Sequence, residues 1–354
     1  MKVYVVPTIT HAYLKSLYSC IIKNENFEIF EFRKRFSTLR YLLKSDIVHL
    51  HWIESLFIAY DRKNTFFLTV IITAIYINVL ITLKFILRKK LVITLHNIVP
   101  HRRLYPSLEH RIFKFSLDLA DNVIVHNNYS KKLAIQTYDL ESNKLSIIPH
   151  GHFFSNYPNT LSKNESRNVL GIPNNYFVFL FLGSLNYYKG IPELLEVFSN
   201  VLKENEKIFL IITGLCLDND LIETLKKFSD KFKTNSLIKI CYVADEEIQV
   251  FMNASDVGVL PFRTITTSGS LLLYMSFKKP VIVPDLEPIQ ELLGDSGIYY
   301  KNSDNEDLMR EILKTKNGFY DLKSISVKLN NLAEDYSWDD IAEETIKIYE
   351  RIIQ

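Results

Sequence analysis

Short apolar runs alternate along the chain with longer segments whose apolar residues recur every three to four positions. In the N-terminal half the apolar runs occupy residues 3–6, 47–50, 91–95, 123–125 and 145–148. In the C-terminal half they occupy residues 177–182, 208–213, 237–243, 256–261 and 280–284. Strands that alternate with helices are typical of parallel sheets covered by helices on both faces. The pattern therefore predicts an α/β protein with two Rossmann-like, doubly wound sheets.

A polar segment separates the two halves. Residues 152–175 are rich in Asn, Ser and Pro and lack a sustained apolar period, which is typical of a connection between domains. We predict a first domain at residues 1–165 and a second at residues 166–335. Residues 336–354 open with Ser337, a candidate N-cap, and continue with apolar residues at near-helical spacing. They are predicted to form a final helix.

The most informative loop follows the apolar run at residues 177–182. It begins at Gly183-Ser184, ends at Lys189-Gly190 and leads into an amphipathic helix. Backbone N–H groups at a helix N-terminus, together with a lysine, favour the binding of phosphate. The loop is therefore a candidate site for an anionic ligand. The alternative is that Lys189 is an ordinary solvated lysine.

Several strands of the first half end at a histidine. His51, His96, His126 and His150 each follow an apolar run. Because ligands of such sheets bind beyond the carboxyl ends of the strands, these histidines are expected to form the polar floor of a cleft. No carboxylates accompany them in metal-ligand spacing, so no metal site is predicted.

Several motifs resemble those of the GT-B glycosyltransferases of the family 4 type. Gly183 with Lys189-Gly190 is similar to the family's Gly-Arg-Leu turn followed by Lys-Gly, in which the lysine holds the diphosphate of the donor. Further similar segments are residues 94–97 (Thr-Leu-His-Asn), 148–151 (Ile-Pro-His-Gly), 243–261 and 279–282. The resemblance thus covers almost the whole chain.

The resemblance implies a GT-B fold, with two Rossmann-like domains whose parallel sheets face each other across a cleft. It also implies a nucleotide diphosphate sugar as donor, no required metal or other cofactor, and a final helix that crosses back to the first domain. The base and the sugar of the donor stay open, and UDP and GDP are both candidates.

The chain departs from the family pattern at three positions. Ser184 stands where the family has a second phosphate-binding cation, an arginine. Ile265 and Leu273 stand where retaining members have two glutamates, one that helps to position the sugar and one that holds the ribose. The retaining mechanism of the family therefore cannot simply be assigned to this chain.

Hydroxyl and glycine residues occupy the region of the missing glutamates. Thr267, Ser268, Gly269 and Ser270 precede an apolar helical segment. N–H groups at such a helix N-terminus are suited to holding a diphosphate together with Lys189. The alternative is a plain capping loop.

The resemblance places His96 opposite the reacting carbon of the sugar, which makes it the first candidate for catalysis. His96 would act either as the general base of an inverting transfer or as a group that orients the sugar. Glu54 and His101 lie in segments reminiscent of a bacterial polysaccharide-transferase branch. They would act on the acceptor or serve as the base.

A long apolar segment in the first half raises the question of membrane contact. Residues 66–83 carry no charge, and this length is the lower limit for a membrane span. A span would put two strands of one sheet on opposite sides of the membrane, so a buried or interfacial helix is favoured. Residues 84–114 carry eight Lys or Arg against one acidic residue. Residues 66–114 are therefore predicted to dock on an anionic membrane, and the alternative for the basic residues is an ordinary solvated face.

Composition excludes some classes of protein. A net charge of +2 over 354 residues argues against a nucleic-acid binder. Three widely separated cysteines give neither a disulfide framework nor a zinc site. The N-terminus enters a strand directly and lacks the layout of a signal peptide, so we expect a cytoplasmic protein, peripheral on the inner face of the cell membrane.

These observations together predict a glycosyltransferase of cell-surface glycan biosynthesis. It would move a sugar from a nucleotide diphosphate sugar to a lipid-linked or polysaccharide acceptor. Two alternatives stay open: a non-catalytic sugar-nucleotide-binding or scaffold protein of this fold, and a sugar-nucleotide epimerase.

Overall fold

The computed structural model describes residues 1–32, 37–57, 65–99, 104–154, 156–205 and 207–354. These residues divide into two compact units, each with its own parallel sheet. The first unit combines Met1–Gly151 with Tyr336–Gln354, and the second is His152–Asp335. The α/β class and the two parallel sheets predicted from the sequence are confirmed.

The sheet of the first unit has six strands in the order β2-β1-β3-β4-β5-β6, and its recorded pairings are all parallel. The strands are β1 Lys2–Val6, β2 Glu28–Glu31, β3 Ile47–His51, β4 Lys90–Thr94, β5 Asn122–Val125 and β6 Leu145–Ile147. The helices between them are α1 Ala12–Ile21, α2 Ser37–Lys44, α3 Glu54–Phe57, α4 Thr65–Ile81, α5 Pro106–Leu119 and α6 Asn128–Tyr138.

The second unit repeats this architecture with the strand order β12-β11-β10-β7-β8-β9. Its strands are β7 Phe177–Leu182, β8 Ile208–Gly214, β9 Ser236–Ile240, β10 Val257–Val259, β11 Val281–Pro284 and β12 Ile298–Tyr300. Its helices are α7 Lys163–Leu170, α8 Ile191–Glu204, α9 Asn219–Lys231, α10 Asp245–Ala254, α11 Gly269–Ser276, α12 Glu287–Leu293, α13 Asn305–Lys316 and α14 Leu322–Glu334.

Strand β7 lies in the middle of the second sheet. Its residues Phe179, Leu180 and Phe181 are completely buried, because helices cover both faces of a parallel sheet. The apolar face of α8 packs behind it, with Leu194 and Phe198 also completely buried. An uninterrupted apolar strand followed by an amphipathic helix thus fixes the position of the loop that joins them.

The last helix, α15 (Trp338–Ile353), belongs to the first unit. Its residues Trp338, Ile341 and Tyr349 share a buried cluster with Tyr13 and Leu14 of α1. The hydroxyl of Tyr349 contacts His49 of strand β3. The helix thereby contributes to the site described below.

The boundary predicted at 165/166 falls inside α7, whereas the division into units follows Gly151. The polar segment before α7 packs on the second unit because its backbone donors find partners there. The N–H groups of Thr160 and Leu161 donate to the side-chain oxygen of Gln249 at 2.9 and 3.2 Å. The N–H of Phe153 donates to the hydroxyl of Ser276 at 2.8 Å.

Helix α4 continues through a π-helical turn, Thr82–Ile86, and keeps a large apolar surface exposed. Over Phe66–Ile86 the segment is long and apolar enough to cross a membrane, and 28% of its most apolar window is buried. Tyr76, Leu80 and Leu83 pack into the core of the first unit. The flanking strands β3 and β4 pair directly in one sheet, so in this fold the segment is a helix laid against the sheet.

Candidate functional site

Two glycines with positive φ shape the loop after β7. Gly183 has a φ of 149° and Gly190 a φ of 74°. A Cβ atom on Gly190 would lie 1.8 Å from the carbonyl oxygen of Pro261, so a side chain cannot be accommodated there. One 3₁₀ turn, Tyr187–Lys189, fills the loop and sets Lys189 directly before α8.

The ammonium group of Lys189 lies beside the N-terminus of α11. Its Nζ atom is 3.4 Å from Oγ of Ser270 and 5.3 Å from the centre of the Phe262 ring. Removal from water lowers the pKa of Lys189 to about 8, because desolvation disfavours the charged form. An anion bound at this point would stabilise the charge.

Ser268 begins α11 as its N-cap. Its Oγ accepts a hydrogen bond from the N–H of Leu271 at 3.1 Å, and Gly269 and Ser270 form the first turn. The remaining N–H groups of a first helical turn have no partner within the helix. They form a partly positive surface that suits phosphate oxygens.

Gly183 lies against both of these elements. A Cβ atom on it would meet Oγ of Ser270 at 3.4 Å and Nζ of Lys189 at 3.7 Å. The end of β7, the lysine and the start of α11 therefore converge. We call Gly183, Lys189, Gly190, Ser268, Gly269 and Ser270 the phosphate cradle.

Two further predicted binding residues, Ser184 and Thr267, adjoin the phosphate cradle in the sequence. Ser184 is exposed, and its Oγ accepts a hydrogen bond from the side chain of Asn186 at 3.3 Å within the same loop. Thr267 is half-buried and precedes the cap of α11. Their roles in binding stay predictions.

Tyr274 holds α11 against β7, and sequence reasoning missed it. Its hydroxyl donates to the carbonyl of Leu180 and accepts from the N–H of Leu182, both at 3.0 Å. A Cβ atom on Gly258 would lie 2.3 Å from the Tyr274 ring. A glycine inside the short strand β10 was the available signal, since such a glycine often marks a close approach.

In the first unit the histidines at the strand ends form one hydrogen-bonded series. Tyr18 Oη lies 2.9 Å from Nδ1 of His49 and 2.9 Å from Nε2 of His51. Nδ1 of His51 lies 3.2 Å from Nε2 of His96, and Nδ1 of His96 lies 3.1 Å from Nε2 of His126. We call Tyr18, His49, His51, His96 and His126 the histidine chain.

The histidine chain ends at a backbone carbonyl, and this carbonyl determines which ring nitrogens carry protons. Nδ1 of His126 is 2.9 Å from the carbonyl oxygen of Ile148, and a carbonyl can only accept. Burial lowers the pKa of His126 to about 4 and that of His96 well below 6.5, so both rings are neutral. We assign the proton of His126, His96 and His51 to Nδ1, because the Nε2 atoms of these rings then accept from His96, His51 and Tyr18.

Aromatic side chains enclose His96. The Trp52 ring stacks on it with centroids 4.0 Å apart and planes 10° apart. The Tyr13 ring meets it edge-on at 4.8 Å. This enclosure, together with the neighbouring rings of His126 and His51, explains the lowered pKa of His96.

The other end of the histidine chain contacts two elements that sequence reasoning did not connect with it. Tyr349 of α15 places its hydroxyl 2.6 Å from Nδ1 of His49. Thr94 of β4 places its hydroxyl 2.8 Å from Nε2 of the same ring. No short sequence motif signals these contacts, since 300 residues separate His49 from Tyr349.

Glu54 begins α3 beside the same strand ends. Its Oε1 accepts from the side-chain N–H₂ of Asn97 at 3.5 Å. Burial raises the pKa of Glu54 above 4.5. His101, the third predicted catalytic residue, lies outside the described residues.

Among the residues that the structure describes, no group of three or more His, Cys, Asp or Glu side chains is arranged to hold a metal ion. The histidine nitrogens are used in hydrogen bonds with one another, with Tyr18 and with Ile148. The arrangement within the histidine chain is therefore one of hydrogen bonding.

The fold defines a class of protein. Two six-stranded parallel sheets of this kind form the GT-B fold. Two family models match the chain: "Glycosyltransferase Family 4" at residues 16–152 and "Glycosyl transferases group 1" at residues 162–318. The chain belongs to these family 4, group 1 glycosyltransferases, and the predicted family is confirmed.

Individual relatives are distant in sequence. The chain is 24% identical to the alpha-monoglucosyldiacylglycerol synthase of Streptococcus pneumoniae over 62% of its length and 50% of the synthase. It is 24% identical to the GDP-mannose:glycolipid 4-beta-D-mannosyltransferase of Xanthomonas campestris pv. campestris, over 81% of the chain and 74% of that protein. The chain spans about half the length of several curated relatives that it matches.

Solved structures show the same fold over the full length. The Anabaena protein HepE, in complex with UDP-glucose, superposes with a TM-score of 0.71 and 16% identity, covering 98% of this chain and 99% of that one. At this identity the likeness shows the fold alone.

Proposed function

We propose that the protein transfers a sugar from a nucleotide diphosphate sugar to a lipid-linked or growing saccharide acceptor. The phosphate cradle carries this proposal. Lys189 and the N-terminus of α11 converge at the end of β7, the edge at which open α/β sheets bind their ligands. A diphosphate is the ligand that best matches a lysine beside unpaired backbone N–H groups.

The same groups would assist the reaction. When the bond between the sugar and the diphosphate breaks, negative charge develops on the leaving oxygen. Lys189 and the first N–H groups of α11 are already in place, so they would stabilise this charge without reorganisation. Ser184 and Ile265 lack the charges of the family's arginine and glutamate, so Lys189 would carry a larger share of phosphate binding.

Relatives with lipid acceptors support the proposed acceptor class. The names of the streptococcal and Xanthomonas relatives specify a diacylglycerol derivative and a glycolipid. Helix α4 and the π-helical turn that follows it expose a matching apolar surface: the exposed fractions of Phe67, Ile75 and Phe85 are 78%, 58% and 64%. An apolar groove of about 570 Å³ lies between α2 and α4. Surfaces of this kind on a soluble unit mark interaction sites.

We propose that α4 docks on the cytoplasmic face of the cell membrane mainly through this apolar surface. Some of the basic side chains counted in the sequence are engaged within the first unit. Lys84 donates to Asp121 at 2.7 Å, and Lys90 lies 4.0 Å from the same carboxylate. Nζ of Lys89 donates to the carbonyls of Leu43 and Ser45. Apolar burial would therefore contribute more than attraction to anionic lipids.

Two nucleotides, UDP and GDP, are candidates for the nucleotide part of the donor. HepE holds UDP-glucose, and the Xanthomonas relative is named for GDP-mannose. Both donors, carrying a radiolabelled sugar, should be incubated with the purified protein and a membrane lipid extract. We expect label from one of them to enter the organic phase, and Lys189→Ala should abolish most of it.

The same assay separates the alternatives. Free nucleotide sugar with an altered sugar would identify an epimerase. Unchanged donor, bound but never consumed, would identify a non-catalytic binding protein, an alternative favoured by Ile265 and Leu273 at the positions of the glutamates. Either outcome would contradict the proposed transfer.

A further inference from the structure

The apolar groove between α2 and α4 is a concave site on the first unit. Helix α2 supplies Leu39 and Leu42 to one wall, and α4 supplies Ile71, Ala74 and Ile75 to the other. The groove has a volume of about 570 Å³, within the range of roughly 300–1,000 Å³ that is usual for small-molecule sites. We call it the α2–α4 groove.

Contacts on both sides fix the walls of the α2–α4 groove. Nζ of Lys89 donates to the carbonyl oxygens of Leu43 and Ser45 at 2.8 and 2.5 Å, which joins the end of α2 to the segment after α4. Leu42 and Leu87 line the groove and also pack against the buried core of the first unit. The two helices therefore have fixed positions, and the described residues leave the space between them unfilled.

The lining of the groove suits a hydrocarbon. None of the described residues that line it is charged, and Asn78 donates its side-chain N–H₂ to the carbonyl of Ala74 in the same helix at 2.8 Å. Ile71, Ile75 and Val79 are nevertheless 54%, 58% and 45% exposed. A hydrocarbon chain that covers these side chains removes apolar surface from water on both partners, which is favourable.

The length of the groove matches a single hydrocarbon chain. Its lining extends along α4 from Ile71 to Leu83, a distance of about 18 Å at the rise of an α-helix. An extended chain of single bonds advances roughly 1.2 Å per bond. The groove therefore has room for about 15 carbon atoms in line.

One end of the groove lies toward the strand ends that carry the histidine chain. Strands β3 and β4 are parallel neighbours, and α4 lies between them in the sequence, so its first turns are at the carboxyl edge of the sheet. The hydroxyl of Thr73 donates to the carbonyl of Phe57 at 3.3 Å, which sets this part of α4 beside α3, the helix that follows β3. A chain in the groove can thus extend its polar end toward the edge at which such sheets bind their ligands.

The charge of the two helices suits a lipid that carries phosphate. Residues 37–45 and 65–90 together contain six Lys or Arg and no acidic residue. An anionic lipid therefore meets no like charge from either segment, and the basic side chains attract it.

We infer that the α2–α4 groove binds the hydrocarbon chain of the lipid-linked acceptor as a single extended chain. This inference rests on the proposed function, in which the acceptor carries a lipid. It differs from docking of α4 on a bilayer, because a single chain leaves the membrane and enters a concave site. The groove holds the acceptor on the first unit while its polar part extends toward the strand ends.

The binding test uses a fluorescent fatty acid, dansyl-labelled undecanoic acid, as the probe. Ala74→Phe fills the groove with a ring but keeps the surface of α4 apolar. It should weaken binding of the probe at least about tenfold, because each methylene kept out of apolar surroundings costs about fourfold in affinity. The matched control is Val70→Phe, which places the same ring at an exposed position of α4 outside the lining. Its affinity for the probe should equal that of the wild type.

A second pair of variants protects the test against a local distortion of α4. Leu39→Glu introduces a charge into the wall that α2 supplies, and Leu43→Glu introduces the same charge one turn later, at an exposed position outside the lining. Leu39→Glu should weaken binding of the probe at least about tenfold, since a charge in the groove opposes burial of a hydrocarbon. Leu43→Glu should bind the probe as the wild type does.

A transfer assay connects the groove with the acceptor. In Ala74→Phe, the concentration of lipid extract that gives half-maximal transfer should rise at least about tenfold, while nucleotide affinity and co-sedimentation with lipid vesicles stay at their wild-type values. This combination separates the groove from the membrane-docking surface, because the variant keeps α4 apolar.

Three outcomes would overturn the inference while leaving the transferase function intact. The first is a half-maximal concentration of extract in Ala74→Phe equal to that of the wild type. The second is an equal loss of probe and vesicle binding in Ala74→Phe, which indicates contact with the bilayer alone. The third is a wild-type dimer that dissociates in Ala74→Phe, which indicates that a second copy occupies the groove. Absence of any transfer by the wild type would instead overturn the proposed function, and the acceptor assignment with it.

Discussion

Acidification should destabilise the first unit because its histidines are buried in the neutral state. His49 is completely buried and His126 is 5% exposed. Burial lowers the pKa of His49 to about 3 and that of His126 to about 4, from an ordinary value of 6.5. The unfolded chain therefore binds protons below pH 6.5 that the folded chain does not bind. The corresponding stability is complete above pH 6.5 and is lost as the pH falls.

The size of the effect follows from these values. Between about pH 7.5 and about pH 5.5, a histidine that titrates only in the unfolded state removes about 1.3 kcal/mol from the free energy of unfolding. His49 and His126 together remove about 2.7 kcal/mol, a large part of the roughly 5–15 kcal/mol that stabilises a typical domain. His51, His96 and His150 act in the same direction.

The neighbouring groups do not reverse this sign. Burial raises the pKa values of Tyr18 and Tyr349, so both phenols stay neutral throughout the range. Glu54 has a raised pKa and therefore acts oppositely, adding stability on acidification. It is one carboxylate against five buried histidines whose pKa values are lowered, so it reduces the loss of stability without reversing it.

Tryptophan fluorescence can follow the first unit selectively. The chain contains two tryptophans, and both Trp52 and Trp338 belong to this unit. Urea unfolding at the two pH values should show the predicted loss of about 2.7 kcal/mol or more. In His126→Asn, an amide can replace the donor to Ile148 but cannot titrate, so the loss should shrink by about 1.3 kcal/mol. A wild type whose stability does not change with pH, or an undiminished loss in His126→Asn, would refute the neutral histidine chain.

Two further variants test the loop and the membrane surface. Gly190→Ala places a Cβ atom against the carbonyl of Pro261 and should lower both the melting temperature and the nucleotide affinity. The control is Gly171→Ala, because Gly171 also has a positive φ, 68°, but has open space around it, so its effects should be far smaller. Equal effects of the two substitutions would refute the steric argument. Ile75→Glu should weaken co-sedimentation with lipid vesicles at least about tenfold, since burying an isoleucine contributes about 2 kcal/mol. The control Val327→Glu, at an equally exposed position of α14, should leave vesicle binding unchanged. If Ile75→Glu binds vesicles as strongly as the wild type, α4 is excluded as the docking surface.

Local sequence pattern was sufficient to predict the sheets and the loop after β7. Six consecutive apolar residues that end at Gly183 require a buried strand, and the positions of Lys189 and Gly190 follow from the helix behind it. The contact between Lys189 and Ser270 joins residues 81 positions apart. It depends on Tyr274, whose hydroxyl fastens α11 to β7, and no spacing rule anticipates that bond.

The histidines could be predicted to meet, but their chemistry could not. Strand ends gather at one edge of a parallel sheet, so four histidines at such ends must be near one another. Their proton positions are determined by the carbonyl of Ile148 and by Tyr18 and Tyr349. These partners come from three separate elements, and only the folded arrangement shows that His96 is fully engaged.

Composition within a sequence window did not show where the boundary between the units lies or which basic residues are paired. Residues 152–165 resemble a linker, yet their backbone donors bind Gln249 and Ser276 of the second unit. The basic count over residues 84–114 stops before Asp121, the carboxylate that pairs with Lys84. In both cases the decisive partner lies outside the window from which the pattern was taken.

The central claim is that the phosphate cradle binds the diphosphate of a nucleotide-sugar donor. Isothermal titration of UDP and of GDP into the wild type, Lys189→Arg and Lys189→Ala tests it most directly. We predict that the wild type binds one of the two nucleotides, that Lys189→Ala binds it roughly 10- to 100-fold more weakly because a charged hydrogen bond is lost, and that Lys189→Arg lies between them because the charge is kept. Binding of equal strength in the wild type and in Lys189→Ala, with both proteins folded, would contradict the claim.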